Sequence, residues 1–244
     1  MMASTKSDAL SYPPLDGSLL FPELLEYNVQ HNPDHPYFVY PGDGEIRKIS
    51  HLEFYRACQR VAHAVRPGRQ GKDKEVVVIM CNCDTILYQV LFMGIIYAGL
   101  IVREIYHRGR GALLSTMFQP FPMSPRNSAP AVVNMLRKTD CHRMIVSQHS
   151  LKDLVSAVKA QLTQSEEPFA LQIEDPPQLA AIYPYLTSDV VVTSPFTPFP
   201  KGKNGPEKKD VMFYLHSSGS TGFPKPVPIT YLTSNHYCLM GKLH

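Results

Sequence analysis

The sequence lacks a strong charge imbalance and a signal peptide. The formal net charge is only +3 over 244 residues, which is too small to predict binding to nucleic acid or to a membrane surface, and an ordinary protein surface explains it. The N-terminus has no basic region followed by an apolar core, so we predict no secretory signal. We therefore expect a cytoplasmic protein with neither nucleic acid nor membrane as a partner.

The sequence also lacks a cysteine framework: its five cysteines, an odd number, are scattered along the chain. The Cys81-Asn-Cys83 spacing is not that of a zinc knuckle, and no second Cys/His pair completes it. We predict no metal site and reduced thiols throughout, as is usual in the cytosol. The five are Cys58, Cys81, Cys83, Cys141 and Cys238.

No apolar run is long enough to suggest a transmembrane helix. The most apolar segment, 86–102, contains Tyr88 and Gln89 and is short for a membrane span. We predict that it forms a buried helix. Because 44% of the residues are hydrophobic, the chain has enough apolar material for a folded core.

Strand and helix patterns alternate along the sequence. The continuous apolar run at 75–80 is typical of a parallel strand that is buried on both faces. We predict an α/β fold with a largely parallel sheet flanked by helices, a loose arm at 1–17 and a linker at 188–210. Ser50, followed by Glu53, predicts a capping box. The predicted helices are 21–30, 50–65, 84–98, 128–138, 150–162 and one after Thr230. The predicted strands are 36–40, 46–49, 75–80, 143–147 and 170–173, and the apolar, aromatic-rich run 211–216 also has strand character.

The most informative stretch follows the apolar run 211–216. Its glycines allow backbone conformations in which several amide N–H groups turn toward one point. Its hydroxyls add donors, and its lysine adds a positive charge. Together these groups would form a nest for a polyphosphate. It is not a Walker A loop, because the lysine lies between two prolines. The residues are Ser217, Ser218, Gly219, Ser220, Thr221, Gly222 and Lys225.

The segment Ser-Ser-Gly-Ser-Thr-Gly-Phe-Pro-Lys at 217–225 resembles the phosphate-binding signature of the adenylate-forming superfamily. This superfamily includes acyl-CoA synthetases, luciferases and adenylation domains of nonribosomal peptide synthetases. One position departs, since Pro226 stands where the family commonly has glycine. The segment Pro-Met-Ser-Pro-Arg-Asn-Ser at 122–128 is similar to fungal adenylation–thiolation–reductase proteins, which are built like aminoadipate or carboxylic acid reductases. The resemblance covers 18–244, but only the N-terminal portion of the family's adenylation domain.

The resemblance implies ATP-dependent activation of a carboxylic acid as an acyl-adenylate, with Mg²⁺ assisting and the seven loop residues binding the phosphates. It identifies no certain catalytic residue, because the acyl pocket, the ribose-binding acid, the hinge and the catalytic lysine lie downstream in the family. A phosphopantetheine carrier or CoA, and NADPH, would act only in domains that this chain does not contain. We accordingly expect these 244 residues alone to be inactive, with the sheet left incomplete beside 211–215. The alternatives are a non-catalytic nucleotide-binding remnant or interaction module, and an unrelated α/β protein whose loop is structural.

Four other candidates carry weaker signals. His216 could face a substrate or could be a strand-end histidine with local hydrogen bonds, and the two interpretations are equally open. Arg126 could bind an anion, although tethering a loop is the simpler role. Ser217 lacks the Gly-x-Ser-x-Gly elbow of a hydrolase nucleophile. The charged run at 201–209 predicts a solvated loop.

Residues 102–119 interrupt the resemblance, and we predict that they are not part of the working fold. Arg103, His107, Arg108 and Arg110 cluster there beside glycines, unlike the surrounding sequence. Since a valine codon begins with GT and Phe118-Gln119 can be encoded TTTCAG, the segment has the possible ends of a translated intron. The alternative is a genuine surface-loop insertion, which folds tolerate at a modest entropic cost.

Overall fold

The computed structural model describes residues 10–14, 16–42, 44–104, 128–184, 186, 196–217 and 223–240. Helices and strands alternate through most of this part of the chain, as the sequence predicts. The helices are α1 Phe21–His31, α2 His51–Val65, α3 Thr85–Tyr97, α4 Ala129–Lys138, α5 Lys152–Thr163, α6 Leu179–Ile182 and α7 Tyr231–Met240. The strands are β1 Pro36–Pro41, β2 Ile46–Ser50, β3 Val76–Met80, β4 Ile101–Glu104, β5 Arg143–Val146, β6 Gln172–Glu174, β7 Val211–Ser217 and β8 Lys225–Thr230.

Six strands form the main sheet in the order β6-β5-β3-β4-β7-β8. Every neighbouring pair is parallel except β7 with β8, which is antiparallel. The strands β1 and β2 form a separate antiparallel pair. The predicted α/β class with a largely parallel sheet is therefore confirmed.

Strand β3 explains why the sheet has helices on both sides. All five of its residues are buried, so side chains that alternate along the strand need an apolar partner on each face. Val77 and Ile79 belong to the core on the side of α2 and α3. Val78 and Met80 belong to the core on the side of α4 and α5.

Helices α2 and α3 begin at side chains that accept hydrogen bonds from the first turn. The Ser50 hydroxyl accepts from the Glu53 backbone N–H at 3.2 Å, and the Glu53 carboxylate accepts from the Ser50 backbone N–H at 2.8 Å, so the predicted capping box is present. The Asp84 carboxylate caps α3 by accepting from the Leu87 N–H at 2.8 Å. Gly99, with a φ of +77°, follows α3 in the left-handed region that favours glycine.

Helix α3 is the buried helix expected from the apolar segment. Among the residues that the structure describes, no helix is long and apolar enough to span the bilayer. The close contact of α3 with α2 depends on Gly94 of α3. A Cβ built at Gly94 would lie 2.4 Å from the Val61 side chain and 2.8 Å from the Cys58 carbonyl oxygen. Small residues at a helix crossing allow the two backbones to approach closely.

The expected linker at 188–210 is instead packed against the fold where the structure describes it, from 196 onward. Phe199 is buried, and its backbone N–H donates to the Gln59 side chain at 2.8 Å. The Arg69 guanidinium donates to the Pro200 carbonyl at 3.0 Å. The composition predicted a linker because prolines and lysines dominate this segment. One buried phenylalanine, Phe199, nevertheless anchors it to the fold.

Three further expectations concern the N-terminal arm, the suspected insertion and the strands beside β7. Residues 10–14 of the expected loose arm include Ser11, whose backbone N–H donates to the Asn32 side chain at 3.0 Å. Residues 102–104 of the suspected insertion form part of β4, while 105–119 lie outside the described residues. The expectation of a missing neighbour beside 211–215 is wrong, because β7 pairs with both β4 and β8 and the edge of the sheet is β8.

Candidate functional site

The candidate site lies at the turn of the β7–β8 hairpin. The two strands pair from Val211↔Thr230 to Ser217↔Lys225, so the last hydroxyl residue of β7 is the register partner of the first residue of β8. The intervening loop starts at Ser218 and ends at Pro224. Residues 218–222, which include Ser218, Gly219, Ser220, Thr221 and Gly222, lie outside the described residues. The structure thus describes the two ends of the candidate loop, and the pairing of β7 with β8 keeps them side by side.

Lys225 is the cation at this turn. Its side chain is exposed, and it has no ion-pair partner among the described residues. Ser217 is also exposed. An unpaired ammonium beside hydroxyl and amide donors has the chemistry that a phosphate group needs.

Strand β7 gives the loop a rigid base. Met212 and Phe213 are buried, and the Phe213 ring meets Phe92 of α3 edge-on with centroids 5.3 Å apart. At the other end of the hairpin, the Lys74 ammonium and the Asp210 carboxylate are 2.7 Å apart. The chain therefore enters the loop from β7, a strand that is fixed by core packing and by pairing with β4 and β8.

Strand β8 suits the edge of the sheet. Pro226 and Pro228 have no N–H to donate, and they lie opposite His216 and Tyr214. The replacement of the family's glycine by Pro226 is therefore accommodated within a strand rather than within the loop. The substitution removes the backbone N–H of residue 226, which belongs to β8 and not to the loop itself.

His216 is half-buried at the end of β7, one residue before the loop. Burial, and secondarily the positive charge of Arg103, lower the pKa of His216 from 6.5 to about 4. The imidazole is therefore neutral at neutral pH. The described residues include no hydrogen-bond partner for it, so the local hydrogen bonds expected of a strand-end histidine are not seen there.

Arg103 was not predicted as a residue of this region. It pairs in register with Tyr214, two residues before His216 on the same face of the sheet. Its charge was visible in the sequence, but it lay in the suspected insertion and was assigned to no strand. Burial lowers its pKa to about 10, so it stays protonated at neutral pH.

The structure places none of the remaining candidates that it describes at the hairpin turn. Arg126 lies outside the described residues. Within the charged run, Lys201 pairs with Glu26 at 3.1 Å and Lys209 pairs with Glu207 at 3.1 Å. Four cysteines are free thiols, and Cys238 has no described side chain. The four are Cys58, Cys81, Cys83 and Cys141.

The sequence profile of the AMP-binding enzyme family matches residues 25–242. The chain belongs to this family. Among curated relatives, the adenylate-forming reductase Nps11 of Serpula lacrymans var. lacrymans is 49% identical over 235 residues, which are 95% of this chain and 19% of Nps11. The chain thus spans about a fifth of the length of that relative.

Solved structures agree with the fold. The anthranilate CoA ligase AuaEII, in complex with anthranoyl-AMP, matches with a TM-score of 0.59 and 19% identity, over 95% of this chain and 36% of the ligase. The N-terminal domain of FACL13 from Mycobacterium tuberculosis, with a bound inhibitor, matches with a TM-score of 0.58 and 15% identity, over 87% of this chain and 44% of that one. The described sheet is therefore that of the N-terminal region of adenylate-forming enzymes.

The described residues fit ATP better than they fit a metal ion held by the protein alone. Lys225 and Ser217 are register partners, so a cation and a hydroxyl lie on neighbouring strands beside the loop. No group of three or more His, Cys, Asp or Glu residues in the described part of the chain could hold a metal. A magnesium ion at this turn would rely on phosphate oxygens and water for most of its ligands.

Proposed function

We propose that this chain is the N-terminal part of an adenylation domain that activates a carboxylic acid as an acyl-adenylate. The observation that carries the proposal is the register pair Ser217↔Lys225, which closes a Ser/Gly loop in a member of the AMP-binding enzyme family. We assign phosphate binding to Ser217, Ser218, Gly219, Ser220, Thr221, Gly222 and Lys225.

The proposed reaction forms one bond and breaks one. A carboxylate oxygen attacks the α-phosphorus of ATP, and the bond from that phosphorus to the bridging oxygen breaks. Pyrophosphate leaves with the electron pair, so negative charge grows on the β- and γ-phosphates. Donors and cations held around those phosphates lower the barrier because they stabilise this charge.

The loop supplies these groups from this chain. The amides near Gly219 and Gly222, the hydroxyls and the Lys225 ammonium would surround the leaving pyrophosphate. Magnesium, bound with ATP, supplies further positive charge to the phosphate oxygens. Because Lys225 begins a strand that pairs with β7, its backbone is held in place before ATP binds.

We further propose that this step belongs to a longer cytoplasmic protein of the adenylate-forming reductase kind. The 49% identity to Nps11 over most of this chain supports that class. Transfer of the acyl group to a phosphopantetheine thiol or to CoA, and reduction by NADPH, would then occur in other domains. The 244 residues alone would not turn over, since the chain corresponds to 19% of the length of Nps11 and positioning fails when many positioning groups are absent.

Acid-dependent exchange of pyrophosphate into ATP tests the proposal. The longer protein should show exchange with at least one member of a panel of carboxylic acids, and the 244-residue chain should show none. ATP binding by the longer protein without exchange for any acid would favour a non-catalytic nucleotide-binding remnant. Robust acid-dependent exchange by the 244-residue chain would show that its active site is complete.

A further inference from the structure

Lys225, the cation of the candidate loop, lies between two prolines. Pro224 precedes it at the end of the loop, and Pro226 follows it as the second residue of β8. A residue that precedes proline is restricted to extended backbone, because the proline ring clashes with the helical conformation of that residue. The strand conformation that Lys225 adopts in β8 is therefore the one that Pro226 favours even before a phosphate binds.

Strand pairing places Pro226 where its missing N–H leaves no ladder hydrogen bond unmade. Pro226 is the register partner of His216. In an antiparallel pair of strands, hydrogen-bonded and non-hydrogen-bonded residue pairs alternate, and a proline fits only at a non-hydrogen-bonded pair. The next pair, Ser217 with Lys225, therefore falls at a hydrogen-bonded position. The backbone of Lys225 is thus held against β7.

The Lys225 side chain depends on this backbone for its position. The side chain is exposed, and no acidic side chain among the described residues pairs with it. Pro226 is half-buried, and so is its cross-strand neighbour His216. Side chains of a non-hydrogen-bonded pair lie close together on one face of the sheet. The proline ring, supported by this neighbour, fixes a backbone that no ion pair of Lys225 fixes.

We propose that Pro226 is a positioning residue, which holds the Lys225 ammonium at the mouth of the phosphate loop before ATP binds. The inference rests on the proposed function, because it assigns Pro226 a role in the same site. A flexible segment loses conformational freedom when it binds a ligand, and proline removes part of that freedom in advance. Where the family commonly has glycine, the residue with the greatest backbone freedom, this chain has the most restricted residue.

Pyrophosphate exchange by variants of the longer protein tests this proposal, with kcat/KM for ATP as the measured quantity. The first variant is Pro226→Gly. Pro226→Ala restricts the backbone more than glycine does, so it serves as a second variant should glycine impair folding. Pro228→Gly is the matched control, because Pro228 also lies in β8 and opposite β7 but does not adjoin Lys225. The thermal midpoint of each variant shows whether it is folded.

A double-mutant cycle shows whether Pro226 acts through Lys225. Its members are the parent, Pro226→Gly, Lys225→Ala and the variant that carries both changes. A residue that only positions the ammonium has no further effect once the ammonium is gone, whereas a general structural role gives the same fold-change in both backgrounds. The cycle therefore separates positioning from a simple loss of stability.

We expect Pro226→Gly to lower kcat/KM by about 2–5-fold and Pro226→Ala to lower it less, while Pro228→Gly leaves it unchanged. In the Lys225→Ala background, Pro226→Gly should cause no further loss. The proposal is overturned if Pro226→Gly loses no more than Pro228→Gly, or if its loss is the same with and without Lys225. Either result leaves the assignment of the loop intact. Wild-type exchange in Lys225→Ala would instead contradict the proposed function, and the role of Pro226 with it.

Discussion

Ser217 and Lys225 are the last register pair of the β7–β8 hairpin, directly at the mouth of the loop that joins the two strands. The pairing brings a hydroxyl and an unpaired ammonium to the same side of the sheet edge. The sequence alone could assign both to one motif, but not to facing positions. Their juxtaposition places a hydroxyl and a cation at the two ends of the Ser/Gly loop.

A larger side chain at Gly219 should block the loop. In the longer protein we expect Gly219→Val to reduce acid-dependent pyrophosphate exchange, because the valine side chain keeps the backbone amides from approaching the phosphates. Gly205→Val is the matched control, since a Cβ built at Gly205 meets nothing within 4 Å. Equal exchange rates in the two variants would refute the assignment of Gly219 to phosphate binding.

The α2–α3 contact should not accept even one methyl group. We expect Gly94→Ala to destabilise the chain by about 1–3 kcal/mol, because its Cβ would collide with Val61 and with the Cys58 backbone. This cost exceeds the gain of about 1 kcal/mol that alanine offers over glycine within a helix. Urea unfolding measures the difference, with Gly205→Ala as the control. A Gly94→Ala variant as stable as the parent would contradict the packing described for these helices.

His216 should make the fold sensitive to acid. Its pKa is lowered from 6.5 to about 4, so between these pH values the unfolded chain binds more protons at this site than the folded chain does. Stability should therefore fall as the pH decreases from 6.5 to 4. We expect His216→Phe to lose this part of the pH dependence, measured as the thermal midpoint at several pH values.

His142 provides a control of opposite sign. A hydrogen bond to the Ala170 carbonyl, followed by one to the Asp140 carboxylate, raises the pKa of His142 above 6.5. Its contribution to stability is thus complete below pH 6.5 and is lost as the pH rises through the folded pKa. We expect His142→Gln to reduce stability more at acidic than at alkaline pH. The same pH dependence in both variants would contradict the different environments of the two histidines.

The sequence predicted those elements that have strong local signals. The apolar run at 75–80 could only satisfy both faces as a central parallel strand, and Ser50 with Glu53 marked the start of α2. Strand β8 was not assigned because Pro226 and Pro228 argue against a strand, and only its place at the sheet edge permits them. The burial of Phe199 depends on Gln59, 140 residues earlier in the sequence, and no local pattern indicates a partner so distant.

The site could be predicted as a motif but not as an arrangement. Seven residues of one loop were assigned to phosphate binding from their types and order, and that assignment stays a prediction. The neutral state of His216 follows from burial and from Arg103 on another strand, and neither is visible in a local sequence pattern. Arg103 itself was assigned to an insertion, because residues 102–119 interrupt the family resemblance and differ in composition from the surrounding sequence.

The transcript should show whether residues 102–119 are translated in nature. We expect mature messages to lack the codons for these residues and to join the codon of Ile101 to that of Pro120. Sequencing of reverse-transcribed messages across this junction measures it. Mature messages that all retain these codons would refute the intron hypothesis and would leave a genuine insertion as the explanation.

Pyrophosphate exchange by the Lys225→Ala variant of the longer protein tests the central claim most directly. The control is Lys203→Ala, which removes another exposed lysine from the segment before β7. We expect Lys225→Ala to lower acid-dependent exchange by about 10²–10³-fold, because it removes a positioned cation from the leaving group, and Lys203→Ala to leave exchange unchanged. Wild-type exchange rates in Lys225→Ala would contradict the assignment of this hairpin loop to phosphate binding.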